Sequence, residues 1–154
     1  MATILAFDPG SKQTAYCLFE NGRILDKGIE LNDLVKSRVI TAHNFDLFAI
    51  EFINYGMNVG REIFETVYWC GRWAEHVDAI LKKPVKRIAR QKIKTLLTGK
   101  PTCNDSIVRA ALMQKYGGTK KGESLHGVTR DMWSALAVAD YVSEGLKIGN
   151  LEEW

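Results

Sequence analysis

The chain has 154 residues, 46% of them hydrophobic and 25% charged, and a formal net charge of +3. That composition suits one globular domain over residues 1–154, long enough to bury roughly two thirds of its unfolded surface. No run of about 18 apolar residues exists, which excludes an apolar membrane-spanning helix, and the N-terminus lacks the pattern of a secretory signal. Cys17, Cys70 and Cys103 are odd in number and far apart, which excludes a disulfide framework and implies reduced thiols in a cytoplasm.

In chain order, Thr3-Ile4-Leu5-Ala6-Phe7 reads as a strand that delivers Asp8 at its end, where Pro9-Gly10 turns the chain at once. Residues 14–20 read as a second strand with Ala15, Cys17 and Phe19 on one side. Asn21-Gly22 is a hairpin signal, and residues 23–29 answer as a third strand, so the chain opens with an antiparallel meander. Residues 30–44 read as a polar connection holding a short helix at 33–37. Residues 45–53 contain the apolar run Leu47-Phe48-Ala49-Ile50, suited to a central strand covered on both faces, with Glu51 at its end.

After a loop at Asn54-Tyr55-Gly56, a long helix is predicted over 58–81, its buried stripe formed by Ile63, Val67, Cys70, Ala74, Val77 and Leu81. Phe64, Tyr68, Trp69 and Trp73 make this helix aromatic on more than one side, through core packing or a face against a twin subunit. Residues 85–89 read as a strand and 90–98 as a basic helix closed by Gly99. A further helix follows the capping residues at 101–106 and runs to Tyr116, presenting Ile107, Ala110, Ala111 and Met113, with Asp105 as part of its cap. Residues 117–127 form a Gly- and Lys-rich loop. The last helix, over 129–144, has Asp131 in its first turn, where the helix dipole favours a carboxylate in any case.

Charge is unevenly distributed. Residues 82–121 carry twelve basic side chains, including Lys82, Lys83, Lys86, Arg87, Arg90, Lys92, Lys94, Lys100, Lys120 and Lys121, against the single acid Asp105. The segment therefore has a net charge of +11 and the rest of the chain −8. Such a split creates a local field suited to a polyanion. Asp8, Glu51 and Asp131 complement it. Carboxylates brought together repel unless a cation neutralises them. Mg²⁺ takes oxygen ligands from carboxylates, water and phosphate, and a pair of ions about 4 Å apart suits phosphodiester hydrolysis.

Ile4-Leu5-Ala6-Phe7-Asp8-Pro9-Gly10-Ser11, Ala49-Ile50-Glu51 and Asp131-x-x-Ser134-Ala135-Leu136-Ala137-Val138-Ala139 resemble the three signature segments of RuvC-type Holliday junction resolvases. The resemblance spans about residues 3–143, and the chain is similar above all to the short RuvC-like proteins encoded by bacteriophages. It implies an α/β, RNase H-like fold: a mixed five-stranded sheet, antiparallel meander first and then parallel strands, flanked by helices. It also implies a homodimer and a metal-dependent endonuclease that cuts four-way or other branched DNA in the cytoplasm of a bacterial host. Asp8, Glu51 and Asp131 would be the catalytic acids and the ligands of two Mg²⁺ ions, with Mn²⁺ as a substitute. Ser134 stands where the family usually has a fourth acid, and its hydroxyl would serve at most as an outer-shell contact. The family's lysine near the start of the penultimate helix aligns with Asp105, leaving Lys100 as a substitute. Phe52 or Tyr55, with Tyr55 better placed, would be the aromatic wedge entering the junction. Two alternatives stand beside this: a junction-binding protein that does not cut, and an RNase H-like nuclease acting on another nucleic-acid structure. A two-domain actin-like ATPase would need a longer chain. Residues 145–154 carry no readable signal.

Overall fold

The computed structural model of the protein describes residues 1–53 and 60–153. Strands β1 (Thr3–Asp8), β2 (Gln13–Glu20) and β3 (Arg23–Leu31) form the expected meander. The β2–β3 turn is made by Asn21 and Gly22 in left-handed conformations, φ 49° and 77°, as a two-residue hairpin requires. The chain then crosses to β4 (Leu47–Phe52), which lies parallel to β1, and later to β5 (Val85–Ala89), parallel to β4. The sheet order is β3-β2-β1-β4-β5. It is the mixed five-stranded sheet expected, with helices on both faces.

Period-2 alternation divides the apolar strand residues between two cores. Leu5, Phe7, Phe48 and Ile50 face helices α1 (Asn32–Val35) and α2 (Arg61–Glu75). Ile4, Ala6, Ala15, Leu47, Ala49 and Ile88 face α5 (Met132–Ile148). Small residues on both partners, Ala6 and Ala49 against Ala135 and Ala139, let α5 lie close on the sheet. Helices α3 (Arg90–Thr98) and α4 (Asp105–Tyr116) complete that side. Gly99 ends α3 in a left-handed conformation, φ 76°, as the sequence suggests.

Several expectations need correction. The 30–44 connection is more helical and more buried than its polarity suggests: α1 runs on as a π-helical turn over Lys36–Ile40, and Val35, Val39 and Ile40 are buried. The long helix is described from Arg61, and its last turn, His76–Ile80, is π-helical. Its buried line is Thr66, Cys70, Trp73 and Val77, while Val67 is exposed and Ile63, Ala74 and Leu81 lie at the flank. The large Trp73 ring, edge-on to Phe7 at 5.4 Å, takes the place against the sheet and rotates the helix away from the apolar count. Helix α4 also presents a different face from the expected one. Val108 and Leu112 are buried, whereas Ile107 and Met113 are exposed. Helix α5 begins at Met132 and continues to Ile148, so Asp131 is its N-cap residue rather than part of its first turn.

Candidate active site

Phe7 pairs with Ile50 across the parallel β1–β4 ladder, so Asp8 and Glu51, one residue further on, leave the sheet side by side. Alternation turns both toward the α5 face, since Ile4, Ala6, Leu47 and Ala49 precede them in that core. Strand β5 adds a third group. Ile88 pairs with Glu51 and belongs to the same core; two residues on, Arg90 opens α3. Its Nε donates to Glu51 Oε1 at 2.7 Å.

The Asp8 turn is held from behind. Buried Asn32 donates to the Gly10 carbonyl at 2.9 Å and accepts from the Thr14 hydroxyl at 2.8 Å. A Cβ on Gly10 would sit 2.6 Å from the Gln13 carbonyl oxygen, so this close passage requires glycine. On the other side of the site, Arg130 takes a left-handed conformation, φ 53°, as the chain turns into α5, at a cost of roughly 1–2 kcal/mol. Asp131 follows. Its carboxylate caps no helix N–H, so capping does not account for it. Ser134 lies one turn on, half-buried, with its N–H bonded to the Asp131 carbonyl at 3.0 Å.

Burial, followed by the charges of Glu51, Asp131 and Asp105, pushes the Asp8 carboxyl from 3.8 up to about 8, with Arg90 pulling the other way. Burial also raises Glu51 despite the guanidinium beside it. Arg90 is held more firmly protonated, chiefly by Glu51 and also by Asp8 and Asp105. The acids outnumber the cations within their field, which are Arg90 and, for Glu51, also Lys94. Oxygen donors short of positive charge suit a hard divalent ion. Among the described residues, however, no three acidic, histidine or cysteine side chains are gathered closely enough to enclose a metal ion. Asp8 and Glu51 offer oxygen donors side by side, with Glu51 already engaged by Arg90.

The basic side chains fall into two groups. Lys83 donates to the Phe45 carbonyl at 2.6 Å and stacks over its ring, and Lys94 donates to the Cys103 carbonyl at 2.6 Å with Asp105 at 3.7 Å. Lys86 pairs with Glu153 at 3.2 Å, and Lys92 with Glu152 at 3.7 Å and with the Glu153 carbonyl. Arg87 lies over Phe52. Lys82, Lys100, Lys120 and Lys121 make no side-chain ion pair or hydrogen bond among the described residues. Tyr55, the predicted wedge, lies outside the described residues.

Three features escaped the sequence. The charge pattern groups Arg90 with phosphate-binding cations, whereas it holds the Glu51 carboxylate. The sequence reads Asp105 as part of a cap, whereas Asn104 does the capping, accepting from the Ile107 N–H, and Asp105 adds to the field on Asp8 and Glu51. The one sequence signal for Asp105 is its alignment with the family's lysine. The C-terminal residues 150–153 lie along β5 and α3 through Glu152 and Glu153, contacts that no local pattern announces.

No protein-family description and no curated protein sequence matches the chain. Solved structures do. Thermus thermophilus RuvC superposes with a TM-score of 0.77 at 14% identity, over 99% of each chain. T. thermophilus RuvC in complex with a Holliday junction substrate gives a TM-score of 0.77 at 14% identity, over 100% of each. At that identity the likeness is one of architecture, and over its whole length the chain has the RuvC fold.

Proposed function

We propose that this protein is a divalent-metal-dependent endonuclease that cleaves four-way or other branched DNA. The observation that carries the proposal is that Asp8 and Glu51 leave adjacent strands of a RuvC-fold sheet side by side, with Asp131 near enough to act on Asp8, whose carboxyl is pushed up to about 8 by burial first and by these neighbours second. Likeness to a structure solved with a Holliday junction supports the choice of substrate.

In this mechanism Asp8, Glu51 and Asp131 would hold a divalent ion, which when bound would supply activation of the attacking water and stabilisation of the leaving 3′ oxygen. The chain's own residues do the rest. Asn32 and Thr14 fix the Asp8 turn, so the carboxylate meets the phosphodiester in one orientation. Arg90 orients Glu51. Lys82, Lys100, Lys120 and Lys121 extend the DNA path with solvent-facing charge. The chain acts as a homodimer, pairing through the outward side of α2, where Phe64, Val67 and Tyr68 are exposed beside a cavity of about 490 Å³ lined by Phe52, Cys70, Val85 and Arg87.

The test is competition among a labelled four-way junction, linear duplex and RNA–DNA hybrid in Mg²⁺, with Glu51→Gln and Asp131→Asn as controls. Preferential cutting of the junction, lost in both variants, supports the proposal; preferential cutting of the hybrid overturns the choice of substrate. A second reading, a junction binder that does not cut, draws on Ser134 at the fourth-acid position and on the engagement of Glu51 by Arg90. Tight junction binding without cutting in either metal would establish it.

A further inference from the structure

We propose that residues 150–153 form an acidic strap that withholds Lys86 and Lys92 from DNA, so that part of the basic segment is closed to the substrate. The inference rests on the DNA-binding side of the nuclease reading and specifies how much of the basic surface that substrate meets. Helix α5 ends at Gly149 in a left-handed conformation, φ 69°, and the chain turns back along the helix. The Asn150 N–H donates to the Gly145 carbonyl at 3.1 Å, Leu151 packs against the core, and the Tyr141 hydroxyl donates to the Glu152 carbonyl at 2.8 Å. A Cβ on Gly145 would lie 2.7 Å from the Leu151 side chain, so α5 carries a glycine where the strap crosses it.

The strap's carboxylates end on the two lysines. Glu153 meets Lys86 at 3.2 Å, Glu152 meets Lys92 at 3.7 Å, and Lys92 also donates to the Glu153 carbonyl. The side chains of Glu152 and Glu153 are 66% and 41% exposed, and ion pairs that open to water are weak by themselves. The backbone hydrogen bonds and Leu151 therefore hold the strap, and the carboxylates are carried with it. Lys86 pairs with Ala49, which puts it on the α5 side of the sheet, two residues before Ile88. Lys92 follows Arg90 by two residues on α3. Along the chain, the two lysines thus flank the arginine that meets Glu51. A carboxylate gives a lysine the same charge-assisted acceptor that a phosphate gives it. Two such pairs remove two sequence-independent contacts from DNA binding.

The experiment measures binding of the full chain to a labelled linear duplex in EDTA, from about 50 to about 200 mM salt. It compares wild type, the double variant Glu152→Gln with Glu153→Gln, the double variant Lys86→Ala with Lys92→Ala, and all four changes together, with folding checked by circular dichroism. The glutamine variant is expected to bind more tightly, with a log–log salt slope steeper by about 1.8, so that this rise in salt weakens it about tenfold more than wild type. The two alanines are expected to leave the wild-type slope unchanged and to abolish the gain in the glutamine background. A gain that survives the alanines would come from the general loss of negative charge and would overturn the inference. A glutamine variant with the wild-type slope would overturn it too, as would alanines that lower the wild-type slope, since the lysines would then already be on the DNA. All three results leave the nuclease reading intact. Folded proteins of which none binds DNA would remove both.

Discussion

The acidic and basic halves of this molecule are built in opposite ways. At the C-terminal ends of β1 and β4, Asp8 and Glu51 lie side by side with a guanidinium on Glu51, and Asp8 is pushed up to about 8 by burial first and by the neighbouring acids second. Along β5, α3 and α4 the positive charges are largely matched: Lys83 and Lys94 by backbone carbonyls, Lys86 and Lys92 by the C-terminal residues. The clearest matched case is Lys115, whose Nζ lies 2.6 Å from Asp140 Oδ1 and 2.9 Å from Glu144, with the Tyr116 hydroxyl donating to the same Asp140 oxygen. Asp140 is fully buried. A paired charge belongs to the architecture, whereas charge left unneutralised marks where something else must bind.

This contrast can be broken most forcefully at Asp8. Asp8→Asn should reduce junction cleavage by at least about 1,000-fold, roughly 4 kcal/mol of transition-state stabilisation, while a gel-shift assay shows junction binding retained. A comparable loss of binding would mean that Asp8 supports the fold rather than the reaction.

On the matched side, Lys115→Met should destabilise the fold by about 3 kcal/mol in urea, because it strands a buried carboxylate. Adding Asp140→Leu should recover most of that loss, as a double-mutant cycle would show. An additive double variant would mean that the pair is not coupled.

The third effect depends on pH. In metal-free protein the folded state holds a proton on Asp8 up to about pH 8, whereas the unfolded chain releases it near 3.8. This group's stabilising contribution is therefore full below 3.8 and is lost as pH rises through 8. In EDTA at pH 9, Asp8→Asn should be more stable than wild type by several kcal/mol, with the difference vanishing toward pH 4. Mg²⁺ should reverse the order at pH 9 by stabilising the wild type alone. Identical melting curves at pH 9 in EDTA would show that Asp8 is not strained by its neighbours.

The smallest effects separate the two sets of lysines. Alanine at Lys82, Lys100, Lys120 or Lys121 should leave the melting temperature unchanged and reduce the salt dependence of DNA binding, each lost phosphate contact lowering the log–log slope by about 0.9. Alanine at Lys83 or Lys94 should cost about 1 kcal/mol of stability through its lost hydrogen bond. Equal salt slopes across both sets would erase the distinction.

The parts of this account that were legible in the sequence depend on local rules. Asn21-Gly22 specifies its hairpin, the apolar runs before Asp8 and Glu51 specify strands buried on both faces, and period-2 alternation puts both carboxylates on one side. What was not legible depends on competition between distant groups. Helix α2 turned because Trp73 outcompeted smaller residues for the sheet beside Phe7. Arg90 looked like one basic residue among twelve, because only the β4–β5 register brings it to Glu51. Lys86 and Lys92 looked available until residues 150–153 lay against them, a contact about 60 residues distant in the chain.

The most direct test is a labelled four-way junction incubated with wild type and Asp8→Asn, first in Mg²⁺ and then in EDTA. The account predicts paired nicks on opposed strands that require both the metal and Asp8. Tight binding with no nicks, in Mg²⁺ or Mn²⁺, would contradict it.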